Sequence, residues 1–154
     1  MEKSSKKALT HNKKVIECRF VAWRFWDFGT GPKDGLIDRW LGTVSERAEE
    51  AFNSLLKINM KEPIPLRWNG LRRIRGGDAQ KEGIWELRFQ TDNIQHRVLF
   101  FFGPNRWEAT LLIGCNHKQA VYDPPDCISS AVTRKKLLMD GKAHYNERKV
   151  RLDR

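Results

Sequence analysis

The stretch IWELRFQTDNIQHRVLFFFGPNRWEATLLIGC, residues 84–115, decides how this chain folds. Trp85, Leu87 and Phe89 alternate with Glu86, Arg88 and Gln90, the period-two pattern of a strand buried on one side. Asp92-Asn93 supplies a turn, residues 95–102 form a second, apolar strand, Gly103-Pro104-Asn105 turns the chain again, and residues 107–115 form a third. The pattern predicts a three-stranded antiparallel meander.

Upstream, Leu36, Ile37, Trp40, Leu41, Val44, Ala48, Ala51, Phe52, Leu55 and Leu56 recur at helical spacing. They predict one helical stripe, bent or divided at Gly42 with Ser45 capping a second helix, and ended by Pro63 and Pro65. Residues 15–26 alternate imperfectly and read as a first strand, broken by Gly29-Thr30-Gly31-Pro32. Downstream, Pro124-Pro125-Asp126 opens a C-terminal helix carrying Ile128, Ala131, Val132, Leu138 and Met139 and stopping near Gly141. The order strand, one or two helices, meander, helix predicts an α+β domain over residues 15–140 with its helices on one sheet face. Residues 1–14 and 141–154 read as basic tails, the first disordered.

Composition narrows the function classes. The chain of 154 residues carries a formal charge of +10, but residues 1–14 hold +4 of it and residues 134–154 hold +5. The body is nearly neutral, so its positive field is local: Arg67, Arg72, Arg73 and Arg75 form an island without an acidic residue between 66 and 75. Cys18, Cys115 and Cys127 have neither disulfide-framework nor metal spacing, which points to a reducing compartment. No apolar segment has signal-peptide or membrane-span character, and the expected location is the cytoplasm. No zinc motif, glycine-rich phosphate loop or nucleophile elbow is present, so neither a metal nor a cofactor is expected.

Strand register gives the sharpest chemical inference. A turn at Asp92-Asn93, or a loop over residues 91–94, sets Arg88 directly opposite Arg97. Like charges opposed across an antiparallel pair destabilise it by about 0.2 to 1 kcal/mol, and an anionic ligand would offset that. The alternative is that Glu86, on the same strand face as Arg88, neutralises the pair as a surface ion network. Arg67, Arg72, Arg73 and Arg75 can track a phosphate backbone, with Trp68 stacking on a base; the plainer reading is a solvated loop with Trp68 in the core. At the end of the third strand His117 can move a proton and Lys118 can neutralise a phosphate, while Tyr122 can stack or assist proton transfer. His96 falls on the parity opposite Arg97 and is left out of the site.

The runs Gly83-Ile84-Trp85-Glu86-Leu87-Arg88, His96-Arg97-Val98-Leu99-Phe100-Phe101 and Leu111-Leu112-Ile113-Gly114, followed by His117-Lys118 and Pro124, resemble the phage-derived branch of the RelE/HigB toxin superfamily. The resemblance covers about residues 15–136. It implies a compact α+β fold, a cognate helix-turn-helix antitoxin, and ribosome-dependent, metal-free cleavage of mRNA. Arg88 and Arg97 match the family's two strand arginines, and Lys118 matches one of its paired lysines. Cys115 stands where an aromatic is common and His117 where the first lysine is common, and the stretch to Pro124 is one residue longer. The expected function is therefore a type II toxin acting as an mRNA endonuclease, with Arg88 and Arg97 on the phosphate, His117 moving the proton, and Arg75 and Lys118 positioning the backbone. The alternative is a non-catalytic, ParE-like gyrase inhibitor or an RNA- or partner-binding module on the same scaffold.

Overall fold

A computed structural model describes residues 22–118 and 121–150 of the chain. In chain order the elements are β1 (Arg24–Gly29), α1 (Leu36–Leu41), α2 (Glu46–Met60), a 3-10 turn (Pro65–Arg67), β2 (Leu71–Arg73), α3 (Gly77–Lys81), β3 (Trp85–Thr91), β4 (Ile94–Phe102), β5 (Glu108–Lys118), β6 (Val121–Asp123), α4 (Cys127–Met139) and β7 (His144–Arg148). The domain is α+β. Its sheet runs β2-β3-β4-β5-β1-β7, with β6 paired to the far end of β5. Strands β3, β4 and β5 are antiparallel neighbours, joined first by a turn in which Asp92 and Asn93 have φ of 52° and 64°. That double left-handed conformation suits the short polar side chains at both positions. Strand β1 lies parallel to β5.

The helical stripe divides where the sequence predicts. Gly42 caps α1, and the Ser45 hydroxyl accepts from the Ala48 amide at 3.1 Å to start α2. Helices α1 and α2 bury Ile37, Leu41, Phe52 and Leu56 against Phe25, Leu87, Val98 and Phe100. Close approach needs Gly114 in β5, since a Cβ there would lie 2.0 Å from the Trp40 ring. The alternate residues of the same strands, Leu99, Phe101 and Ile113, pack under Cys127, Ala131, Val132 and Leu138 of α4.

Helices therefore cover both faces, in contrast to the single covered face expected from the element order. The cause lies in strand β4, where residues 98–101 are all buried: both parities are apolar, which demands cover on each side. The first strand begins at Arg24 and extends to Gly29, past the Trp26 limit of its alternation; residues 15–21 lie outside the described residues, as does the basic segment 1–14. The C-terminal boundary also shifts. Residues 144–148, read as part of a basic tail, form edge strand β7 on β1, fixed by Arg148, whose Nε donates to both Asp27 carboxylate oxygens at 2.8 and 3.0 Å. A strand held by a buried ion pair carries no apolar alternation to reveal it. No helix among the described residues is long and apolar enough to cross a membrane.

Candidate anion-binding site

Arg88 of β3 stands opposite Arg97 of β4, and Arg97 stands opposite Cys115 of β5. One step along, Gln90, Gln95, His117 and Tyr122 line up across β3, β4, β5 and β6. Opposed residues of an antiparallel ladder share a face, so register alone gathers the arginine pair, His117 and Tyr122 on the α4 side. Helix α4 reaches only as far as Cys115, which hydrogen-bonds to Cys127 in its first turn. Beyond that contact the face opens toward the β3–β4 hairpin.

Glu86 is the hub of the site. Its buried carboxylate accepts from Arg88 Nε at 2.6 Å, from Arg97 Nη1 at 3.3 Å and from the Tyr122 hydroxyl at 2.8 Å. Glu86 thus takes the neutralising role that strand parity allows it, although it is buried where a surface network would be solvated. Its one negative charge meets two guanidiniums, leaving an excess of one positive charge. The two arginines differ sharply: the Arg97 side chain is 8% exposed and Arg88 is 43% exposed. Arg97 also donates to Gln95 Oε1 and to the Tyr122 hydroxyl, both at 3.3 Å, and lies over the Tyr122 ring. Its Nε is buried without a partner among the described residues, a donor still unused in a dry place. Gly70, at φ +76°, holds the backbone of Arg88: its carbonyl accepts the Arg88 amide at 2.8 Å, and a Cβ there would lie 2.4 Å from the Arg88 carbonyl oxygen.

His117 packs edge-on against Tyr122, ring centroids 5.0 Å apart. Burial, then the charge of Arg97, then that of Arg88, hold its imidazole below the ordinary 6.5, with Glu86 pulling the other way. The ring is consequently neutral at pH 7, the form that can accept a proton. Burial and the bond to Glu86 push the Tyr122 hydroxyl up to about 12, so it stays a phenol. The Cys115 thiol is raised by its hydrogen bond to Cys127 and by burial, and remains a protonated thiol with no nucleophilic character.

The arginine island does not form one surface. Arg72 sits opposite Glu86 and so belongs to the site face, its guanidinium bonded back to the Leu71 carbonyl at 2.9 Å. Arg73, the next residue, turns to the other face and lies over Trp85, because successive strand residues alternate. Arg67 pairs with Glu62 at 3.9 Å, and Arg75 is exposed beyond the end of β2. Trp68 is a core residue, 4% exposed, donating to the Glu62 carbonyl and packed on Trp23 and Phe100; it offers no face to a base. The side chain of Lys118 lies outside the described residues. His96 is buried on the opposite face between Thr91 and Asn116.

Two side chains of the site were not singled out by sequence reasoning, Gln90 and Gln95, although the same parity that selects Arg88 and Arg97 selects them. With Arg88 and Phe89 they line an open depression of about 250 Å³. A larger cleft of about 510 Å³ between α3 and α4, lined by Asp78, Ile128 and Lys136 among others, contains none of the site residues. No group of three or more His, Cys, Asp or Glu among the described residues is placed to hold a metal ion. No family model, curated protein or solved structure matches the chain.

Proposed function

We propose that this chain is a toxin of the RelE/HigB type that cleaves mRNA on the ribosome without a metal. The observation that carries the reading is the meeting of Arg88, Arg97, His117 and Tyr122, from four strands, on one sheet face with more guanidinium than carboxylate, Arg88 exposed and Arg97 buried beside it. The order of elements β1, α1, α2, then β3-β4-β5, then α4 is the one expected, but the sheet has seven strands, so the domain is not the small three-stranded fold that the resemblance implies.

In such a reaction the ribose 2′-hydroxyl attacks the adjacent phosphorus, the bond to the 5′-oxygen breaks, and a 2′,3′-cyclic phosphate forms. His117, neutral and beside the arginine pair, takes the 2′-hydroxyl proton. The exposed Arg88 stabilises charge on the phosphorane oxygens through its terminal N–H groups, and the buried Arg97 adds its positive charge from beside it. Tyr122, a phenol at neutral pH, gives a proton to the departing oxygen. Ribosome-bound mRNA, bent into line, supplies the alignment that so small a site lacks.

The purified chain with translating ribosomes is expected to truncate mRNA, and Arg88→Ala together with Arg97→Ala to abolish truncation. Arg88→Ala alone, at a half-exposed position, keeps the test clear of misfolding. Undiminished cleavage by both variants discards the site. One observation favours a second reading, a non-catalytic ParE-like or RNA-binding module: Glu86 already occupies both arginines. Growth arrest with intact mRNA and halted replication would select it.

A further inference from the structure

We propose that the depression beside the arginine pair is a nucleobase subsite that favours guanine and uracil, which carry a carbonyl oxygen where adenine and cytosine carry an exocyclic amino group; this rests on reading the pair as an RNA phosphate site. Gln90 and Gln95 are opposed in register and stand two residues from Arg88 and Arg97 on the same face. Two residues of strand span roughly 7 Å, about the reach from a nucleotide's phosphate to its base. The depression of about 250 Å³ is open to solvent on the side away from the sheet and has room for a single base.

Its polarity is set by what its walls already bond. Gln95 Oε1 accepts from Arg97 Nη2 at 3.3 Å, which turns the Gln95 amide N–H groups outward as donors. Arg88 commits its Nε to Glu86 and keeps its terminal N–H groups free to donate. Gln90 has no partner among the described residues and can turn either end of its amide to a base. Fixed donors therefore outnumber fixed acceptors. Guanine O6 and uracil O4 accept at the positions where adenine and cytosine carry an amino group.

The walls are also held before any ligand arrives. Asp92 at the hairpin tip pairs with Arg47 of α2 at 2.7 Å, and the Thr91 hydroxyl bonds His96 Nε2 at 2.9 Å. These contacts fix the hairpin backbone that carries the two glutamines, so binding has to order only their side chains.

The test is a titration of the full chain, followed by NMR, with inorganic phosphate and with the 3′-monophosphates of guanosine, uridine, adenosine and cytidine. Guanosine and uridine nucleotides are expected to bind at least about fivefold more tightly than the other two, the lower end of one good base contact. Gln95→Ala should bring the four affinities together, and Gln95→Glu, which presents acceptors, should reverse the order toward adenine and cytosine. Equal binding of all four nucleotides, with phosphate binding lost in Arg88→Ala, would overturn the subsite and leave the phosphate site standing. No binding of phosphate or of any nucleotide would overturn both.

Discussion

On the face covered by α1 and α2, one guanidinium serves two carboxylates; on the face covered by α4, one carboxylate serves two guanidiniums. Arg148 binds both oxygens of buried Asp27 and also donates to Asp38 at 2.5 Å, in a centre that ties β7 to β1 and α1. Burial raises the Asp27 carboxyl, with Asp38 adding to it, against the lowering effect of Arg148. Burial also works against the Arg148 cation, but the bonds and charges of Asp27 and Asp38 outweigh it and raise the guanidinium. Arg148 there turns both Nε and Nη2 to carboxylates, and two negative charges meet its one positive charge. At Glu86 the ratio is inverted, one arginine is half-exposed, and a buried donor of the other goes unused. Stoichiometry and exposure, rather than the mere presence of arginine, separate a centre that holds the fold from one that can receive an anion.

The largest expected effect is on the first centre. Arg148→Ala leaves Asp27 buried without its partner, and breaking such a pair costs about 3 to 5 kcal/mol. Urea unfolding should register that loss, and phosphate should not restore it. Adding Asp27→Asn should recover part of it, because the stranded charge is gone. A loss below about 1 kcal/mol would place this pair among ordinary surface ion pairs.

Glu86→Gln probes the second centre and should behave differently. Arg88 remains hydrated, but Arg97 loses the charge that compensates its burial, and a loss of about 1 to 3 kcal/mol is expected. Here phosphate or sulfate should raise the melting temperature of the variant more than that of the parent chain, by supplying at the arginines the negative charge that the carboxamide lacks. Equal responses in both proteins would mean that the pair has no anion-receiving role.

How much of this was legible in the sequence depended on whether a residue's role is local. The meander, the split at Gly42, the Ser45 cap and the Arg88–Arg97 register follow from period and turn chemistry, and all are present. Strand β7 was not readable, because its hold on β1 is an ion pair between residues 121 positions apart. Trp68 looked like a stacking platform because arginines flank it in sequence; in space its neighbours are Trp23, Phe100 and Phe102. Arg73 was grouped with Arg72 for the same reason, and strand alternation sends the two to opposite faces. Glu86 could be placed beside the pair by parity, but its third partner, Tyr122, comes from β6, a strand three residues long that no periodicity can signal.

Tyr122→Phe removes two hydrogen bonds, the one donated to Glu86 and the longer one accepted from Arg97, and keeps the ring against His117. With the tyrosine half-buried, a loss of about 1 kcal/mol is expected. The clearer readout is optical: a tyrosinate transition near pH 12 in the parent chain should be absent from the variant. If the ionisation that the variant loses lies near the ordinary tyrosine value of 10, the hydroxyl is not held by burial and Glu86.

The smallest effect concerns His117. Its imidazole titrates below 6.5 because burial, Arg97 and Arg88 oppose its protonation, with Glu86 opposing them in turn. The unfolded chain therefore binds this proton more readily than the folded one, and stability should decline slightly as pH falls through 6.5 while being unaffected above it. Removing single charges should move the titration in opposite directions. Arg88→Ala takes away a positive neighbour and should raise the imidazole pKa; Glu86→Gln takes away the lone negative one and should lower it further. NMR titration of the ring protons in the three proteins reads both shifts. If the two variants move together, the ring does not sense the imbalance at Glu86, and the contrast between the two arginine centres would stop short of the residue assigned to proton transfer.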